Sequence, residues 1–450
     1  MSWLMVSVSG VRGVVGEALT PFEIVKFVSA FAEFSGRGKI MVGRDTRAHS
    51  FFISNIVSGT LIAMGCEVVD IGVCPTPTLQ LAVEHSDAKG GVMITASHNP
   101  EKWNGLKFIS ADGTFLSPEQ HKKFVELSES KLSFARWDKI GNYAQDRSFI
   151  EKHIQKILQI SFIDAERIRK RRFKVVVDCI NGAGSEIVPK LLEEFGCKVV
   201  KLNCDGSGVF THEPEPLPEN LTELCEVVKQ TESDFGIAVD PDADRLVIVT
   251  EKGEPFGEEY TIVQAVKIVL DKKGINKNVV VNLSTTKAVE EIAKNYNAKV
   301  YRSPVGEINV VKKMKETDAI IGGEGSGGVI LPEVHYGRDS LVGIALFLQN
   351  LVEFGGKVSE FKKTLPEFEI FKTKINIEGV NPDEIFKKVK EIYSDAEINT
   401  EDGLRIDFGD KWVHIRKSNT EPILRIIAEA KSKKEAEEIV RDLKIKIGID

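Results

Sequence analysis

The chain has little of what marks several common classes of protein. None of its apolar runs approaches the roughly 18 residues of a membrane-spanning helix, so no membrane partner is expected. The N-terminus has neither the basic flank nor the small-residue cleavage site of a secretory signal. Six cysteines in 450 residues show no CxxC spacing, which argues against a zinc site or a disulfide framework. Cys66, Cys179 and Cys197 lie in apolar segments and are expected as reduced core thiols. There is no excess of positive charge. The net charge of −7 argues against a nucleic-acid partner, but local arginines still decide whether a phosphorylated small molecule binds. No Walker A loop is present, because Gly36-Arg37-Gly38-Lys39-Ile40 lacks a hydroxyl residue after its lysine, and no GxSxG elbow occurs. With 42% apolar and 28% charged residues, the chain reads as a cytoplasmic globular protein of three or four domains.

Three segments look like copies of one unit. Lys39–Gly43 leads into a helical stretch and then Gly65–Val69. Lys174–Asp178 leads likewise to Gly196–Val200, and Asn278–Asn282 passes through Ala288–Tyr296 to Asn297–Val300. Each reads strand, polar turn, helix, small residue, strand, a βαβ unit of about thirty residues. Apolar runs of this kind fit sheets covered on both faces. The end of the chain differs. Strand-like Phe371–Ile377, Gly403–Phe408, Trp412–Ile415 and Ile423–Ala428, with helical Pro382–Tyr393 and Lys434–Lys446, give an α+β pattern with its own sheet. The fold expected is α/β, with three related α/β domains of mixed sheets (1–149, 150–252 and 253–366) and a C-terminal α+β domain (367–450).

Two motifs carry chemistry. Thr95-Ala96-Ser97-His98-Asn99-Pro100 follows the apolar Gly91–Ile94, so Ser97 is expected on a surface loop where a buried strand ends. His98 adjoins it, but neighbouring side chains on an extended segment point opposite ways, so no Ser97–His98 hydrogen bond is expected. Asp240-Pro241-Asp242-Ala243-Asp244-Arg245 lies between two strand-like runs. Three aspartates in five residues repel unless a cation neutralises them, and an all-oxygen carboxylate set suits Mg²⁺. An EF-hand is excluded by Arg245 at the position that needs glycine and by flanking strands in place of helices. A serine with a magnesium site points to phosphoryl transfer through a phosphoserine.

Other residues support that chemistry. Asn104-Gly105-Leu106-Lys107 puts a lysine close behind the serine, able to contact phosphate or move protons. Gly323-Glu324-Gly325-Ser326-Gly327-Gly328 matches GxGxxG, but Val329-Ile330-Leu331-Pro332 follows where a dinucleotide fingerprint needs a helix, so a loop bringing Glu324 to a polyhydroxylated ligand fits better. Arg416-Lys417-Ser418-Asn419-Thr420-Glu421-Pro422 is equipped to hold a phosphate dianion.

Taken in order, these motifs, with Gly10-Val11-Arg12-Gly13 and Leu19-Thr20-Pro21 near the start, resemble those of the α-D-phosphohexomutases over nearly the whole chain. The resemblance implies four domains around a central cleft, each supplying one loop. It implies that phosphorylated Ser97 hands its phosphoryl group to a hexose monophosphate, and that the bisphosphorylated sugar turns around and returns its other phosphate. Mg²⁺ would be held by Ser97, Asp240, Asp242 and Asp244, with a hexose 1,6-bisphosphate as activator. Lys107 would be a general acid/base, and Arg12 and Arg245 would bind the phosphoryl group beside His98. Glu324 and Ser326 would hold sugar hydroxyls, and Arg416, Ser418, Asn419 and Thr420 the other phosphate.

The substrate is read from departures. In Ser303-Pro304-Val305-Gly306-Glu307, an acid stands where many phosphomannomutase/phosphoglucomutase members have histidine, and an acid suits a 2-ammonium group. The sugar loop ends Gly327-Gly328 where many members have Gly-His. That loop, His335-Tyr336-Gly337-Arg338-Asp339 and the Arg416 loop resemble the archaeal-type phosphoglucosamine mutase branch. Glucosamine phosphate is therefore expected, with mannose or glucose phosphates as the alternative and a non-catalytic metal- or nucleotide-binding protein as the remote one. The oligomeric state expected is monomer or homodimer.

Overall fold

The three repeated stretches fold as parallel βαβ units, and each sits in the same four-strand arrangement. The computed structural model describes residues 4–377, 381–417 and 423–448. In the first domain the order is Trp103–Ser110, Gly90–Ile94, Lys39–Arg44, Glu67–Val73. In the second it is Leu246–Thr250, Phe235–Val239, Lys174–Asp178, Lys198–Leu202, and in the third Gly328–Ile330, Ile321–Glu324, Asn278–Asn282, Lys299–Ser303. In all three, the first-named strand is antiparallel to the second and the other pairings are parallel. Strands Gly90–Ile94, Phe235–Val239 and Leu246–Thr250 are buried throughout, which is why they read as unbroken apolar runs. The first long helix starts where the sequence supplies a cap. Thr20 accepts the Glu23 N–H ahead of Pro21–Phe34, with proline in the first turn.

That shared arrangement positions the site. In each domain the turn from the second-named strand to its antiparallel neighbour carries one motif: Thr95–Pro100, then Asp240–Arg245, then the turn after Glu324. Three chemically different loops are thus one topological turn used three times.

The sequence pattern missed some strands. The first sheet has seven because the hairpin Met5–Ser7 and Gly10–Val14 joins one edge and Tyr143–Gln145 the other. The hairpin brings Arg12 opposite Gly105, and a Cβ at Gly105 would lie 2.8 Å from Arg12 Cγ, so only glycine admits the arginine stem there. Glu397–Asn399 was likewise absent from the expected C-terminal strands and forms the edge of an antiparallel five-stranded sheet.

The second and third domains share one continuous core, in which Leu246, Ile262, Val329, Leu341 and Phe347 are buried together. The C-terminal domain has its own core, including Val389, Leu404, Ile426 and Leu443. Many of its contacts with the third domain are polar. Lys287 N–H donates to Glu429 Oε1 at 2.8 Å, Val305 N–H to Asp402 Oδ2 at 3.1 Å, and Arg405 to the Leu283 carbonyl. All six cysteines are free, with Cys66, Cys74, Cys179 and Cys197 buried. No helix among the described residues is long and apolar enough to cross a membrane.

Candidate functional site

Ser97 leaves its strand in the left-handed region, at φ +51°, steadied by its own N–H donating to Thr95 Oγ1 at 2.9 Å. Ser97 itself is not exposed as expected of a surface loop: it is 2% exposed, while His98 and Asn99 are half-buried and Pro100 is exposed. The left-handed turn also overturns the expected separation from His98. Because the segment is not extended, Ser97 Oγ and His98 Nδ1 lie 3.3 Å apart. Ser97 donates to Asp240 Oδ2 at 3.0 Å, joining the serine loop to the aspartate loop.

The serine loop is clamped by a residue the sequence reading passed over. Arg47, buried beside Asp45, donates Nε to Asp45 Oδ2 at 3.1 Å and its terminal nitrogens to the carbonyls of Ser97, Asn99, Pro100 and Trp103 at 2.6–3.1 Å. All five guanidinium donors are thereby used. The Arg44-Asp45-Thr46-Arg47 turn after a predicted strand was the available signal, but nothing local says what such an arginine reaches. Arg47→Met is expected to cost roughly 3–5 kcal/mol, because it leaves Asp45 unpaired in the interior and strips the loop carbonyls of donors. Urea unfolding of the variant checks this, and a midpoint equal to wild type would count against the clamp.

Asp240, Asp242 and Asp244 offer carboxylate oxygens within 4.8 Å of one another, all buried. Asp240 Oδ1 accepts the Asp244 and Arg245 N–H groups at 3.1 and 3.2 Å. Asp242 Oδ2 accepts from Thr76 and, at 2.5 Å, from Lys107 Nζ. Asp242 Oδ1 and Asp244 Oδ1 are buried with no hydrogen-bond partner. Burial, then repulsion from Asp244 and Asp242, pushes the Asp240 carboxyl well above its ordinary range. Burial opposes charge on Asp242 too, but Lys107 and Thr76 outweigh it and hold that carboxyl well below the usual range. An oxygen-only set with two orphaned buried oxygens and one carboxyl straining against its neighbours fits a hard dication such as Mg²⁺.

Lys107 is held at this site. Its Nζ lies 2.5 Å from Asp242 and 3.4 Å from Asp244. Arg12 donates to Asn99 Oδ1 at 3.2 Å and to the Ala96 carbonyl at 3.4 Å. Arg245 pairs with Glu215 at 3.3 Å. The field of Arg245, then burial, then Arg12 and Arg338 drives the His98 proton affinity well below its ordinary value. The same ring of cations makes this corner of the cleft receptive to a phosphoryl dianion.

Across the cleft, Glu324 accepts from Asn282 at 2.8 Å and from the Gly306 N–H at 2.9 Å, with Ser326 on the same loop. Glu307 accepts from Gln80 at 3.0 Å. Arg338, used in the sequence only as a marker of resemblance, connects them. It reaches Glu324 at 2.8 Å, Glu307 at 3.0 Å and Asp244 at 2.7 Å. Burial raises the Glu307 carboxyl above its ordinary range, whereas at Glu324 burial is outweighed by Arg338, Asn282 and the Gly306 N–H, which lower it. Arg416 pairs with Asp402 at 3.3 Å. Ser418, Asn419 and Thr420 lie outside the described residues.

One cleft of about 1120 Å³ is lined by residues of all four domains, among them Ser97, Arg245, Glu307, Glu324, Arg338 and Arg416. A second hollow, of about 650 Å³ around Arg171, Lys229 and Gly355, holds none of these groups. Four domains that close on one cleft, three of them through the same strand-to-strand turn, with a serine facing carboxylates there, have the build and chemistry of a phosphohexomutase. Comparison with known proteins agrees. Residues 5–133, 151–253 and 257–368 match the phosphoglucomutase/phosphomannomutase alpha/beta/alpha domains I, II and III, and residues 375–445 match the C-terminal domain. The chain belongs to the phosphoglucomutase/phosphomannomutase family. It is 39% identical to a phosphoglucomutase/phosphomannomutase of Thermococcus kodakarensis, over 97% of both chains. It is 37% identical to a probable phosphoglucosamine mutase of Methanopyrus kandleri, over 96% of this chain and 95% of the other. Among solved structures it resembles a phosphoglucomutase/phosphomannomutase family protein from Burkholderia thailandensis, at TM-score 0.86 and 25% identity over 98% of both.

Proposed function

We propose that this phosphohexomutase interconverts glucosamine 6-phosphate and glucosamine 1-phosphate through phosphorylated Ser97. The observation that carries the sugar assignment is a charge count in the cleft. Glu307 and Glu324 share the single guanidinium of Arg338 with Asp244. Once a cation takes the charge of Asp244, Arg338 balances one of these two glutamates and the other carboxylate is left beside it, which suits a 2-ammonium group better than a hydroxyl.

In this reading Ser97 Oγ carries the phosphoryl group to the sugar, and the bisphosphorylated sugar turns within the cleft and returns its other phosphate to Ser97. Asp240, 3.0 Å from Ser97 Oγ, accepts a hydrogen bond from the hydroxyl when the serine is free. Arg12 and Arg245 bind phosphoryl oxygens beside His98. Lys107 is in reach of Asp242 and Asp244 and serves as the acid/base candidate on that side. Glu324 and Ser326 hold sugar hydroxyls, and Arg416 with Ser418, Asn419 and Thr420 receives the other phosphate. Asp240, Asp242 and Asp244, next to Ser97, would hold Mg²⁺, which would supply positive charge for the transferring group. A hexose 1,6-bisphosphate restores phosphate to an idle serine. The domain limits at 149, 252 and 366 belong to the same proposal.

The second reading, glucose or mannose phosphate, is favoured by the fact that Glu307 already has a cation. The two relatives divide the same way in name. Side-by-side kcat/KM for glucosamine, glucose and mannose phosphates decides between the readings. Glucosamine phosphate is expected to lead, and Glu307→Gln is expected to lower its kcat/KM by about tenfold, a hydrogen bond to a charged group being worth roughly 1.5–3 kcal/mol, while changing glucose phosphate less. A preference for mannose phosphate of about tenfold, or 1.4 kcal/mol, would overturn the assignment.

A further inference from the structure

Among the described residues, Arg338 touches both the aspartate loop and the sugar side of the cleft. Its Nη2 donates to Asp244 Oδ2 at 2.7 Å, its Nη1 to Glu324 Oε2 at 2.8 Å, and its Nε to Glu307 Oε2 at 3.0 Å. Asp244 keeps its other oxygen, Oδ1, buried and without a hydrogen bond, so that carboxylate can serve a cation on one side and Arg338 on the other.

Two independent features hold the arginine in place. The next residue, Asp339, is fixed from several directions. His153 Nε2 and His335 Nε2 lie 2.8 and 3.1 Å from its Oδ2. Its Oδ1 accepts the Leu341 N–H at the head of helix Ser340–Phe354. His153 in turn meets Thr78 Oγ1 at 2.8 Å, so the anchor includes the first domain. The second feature is the sugar loop itself. A Cβ at Gly328 would lie 2.4 Å from Arg338 Cδ and 3.0 Å from its Cγ. The arginine stem fills the space that any side chain at 328 would need, so the glycine that ends this loop and the arginine ten residues on go together.

Resting on the phosphohexomutase reading, we propose that Arg338 is a positioning residue that couples the cation site to the sugar site, so that Mg²⁺ tightens hexose phosphate binding through this guanidinium. Without a cation, Asp244 competes with Glu324 and Glu307 for the one guanidinium. A dication on Asp244 neutralises that competitor, and the charge of Arg338 then acts more fully on the two glutamates. Their free lone pairs become aligned acceptors, Glu324 for sugar hydroxyls and Glu307 for the group at C2. Arg338 moves no proton and transfers no group.

The test is a thermodynamic cycle on dephosphorylated enzyme, which does not turn over without bisphosphate. Calorimetric Kd values for glucosamine 6-phosphate, and separately glucose 6-phosphate, are measured with saturating Mg²⁺ and with EDTA. In wild type the ratio of the two Kd values is expected to be roughly tenfold, within the usual range of coupling between sites. Arg338→Met is expected to reduce that ratio by threefold or more. Arg338→Lys, which keeps the charge without the fork, should fall between. Gly328→Ala removes no charged group but displaces the arginine stem, and should follow Arg338→Met. A role confined to folding would alter melting and leave the ratio unchanged. If Arg338→Met fails to fold, Gly328→Ala decides. A ratio within threefold of wild type in the deciding variant, or no effect of Mg²⁺ in wild type, overturns the coupling. Failure of wild-type enzyme to isomerise any hexose phosphate overturns the underlying reading, a separate outcome.

Discussion

Ser97→Ala is expected to stop turnover while leaving a folded protein. Loss of the phosphoryl carrier should lower kcat by about 10⁴-fold or more, as removal of a covalent nucleophile does elsewhere. Stability should change far less. The side chain loses one oxygen, its backbone keeps the Thr95 bond at 2.9 Å, and Asp240 Oδ2 loses a single donor at 3.0 Å. Loss of one hydrogen bond of this kind costs about 1 kcal/mol. Three measurements separate the possibilities. Intact mass should show one phosphate on natural protein and none on the variant. Added glucose 1,6-bisphosphate should rescue dephosphorylated wild type and do nothing for Ser97→Ala. Thermal melting should differ by only a few degrees. Activity in the variant within tenfold of wild type would end the phosphoserine mechanism.

Much of this was legible because the relevant signals are local. A strand, a polar turn and a second strand fit within about fifteen residues, so Thr95–Pro100, Asp240–Arg245 and Gly323–Gly328 stood out, and the three βαβ repeats could be aligned by eye. Two kinds of information were not local. One was the φ of +51° at Ser97, which set His98 against the serine oxygen and which no spacing rule foretells for a residue other than glycine. The other was the reach of long cationic side chains. Arg47 and Arg338 touch partners from 31 to 94 positions away when they bind Glu307, Asp244 and the serine loop, and a lone arginine in a polar turn ordinarily reads as solvated surface. The short edge strands Met5–Ser7, Tyr143–Gln145 and Glu397–Asn399 were missed for a related reason. Each has three residues, too few for alternation to show, and is held by its neighbour in the sheet.

Asp242→Ala is expected to fail differently from Ser97→Ala, and the difference locates the cation. Asp242 lies at the crossing of three loads. Its Oδ2 takes the Lys107 ammonium at 2.5 Å and the Thr76 hydroxyl, while its Oδ1 is buried and free. Removing it subtracts one anionic ligand and strands Lys107, whose other carboxylate, Asp244, lies at 3.4 Å. A buried ammonium left with a weaker partner then competes with the incoming dication for the same charge. Turnover should fall by roughly 10²–10³-fold, the usual cost of losing one preorganised charge group, and the Mg²⁺ concentration for half-maximal rate should rise. Bisphosphate should not rescue the variant, because its defect is not a missing phosphate. Raising Mg²⁺ should restore part of the rate, and Mn²⁺ titration should show weaker binding even with no sugar present. Asp242→Asn should be intermediate, since an amide oxygen still serves a hard cation but brings an N–H toward Lys107. Mg²⁺ dependence equal to wild type in Asp242→Ala, with a folded protein, would remove this carboxylate from the cation site. Rescue by bisphosphate alone would place it instead on the path that loads phosphate onto Ser97.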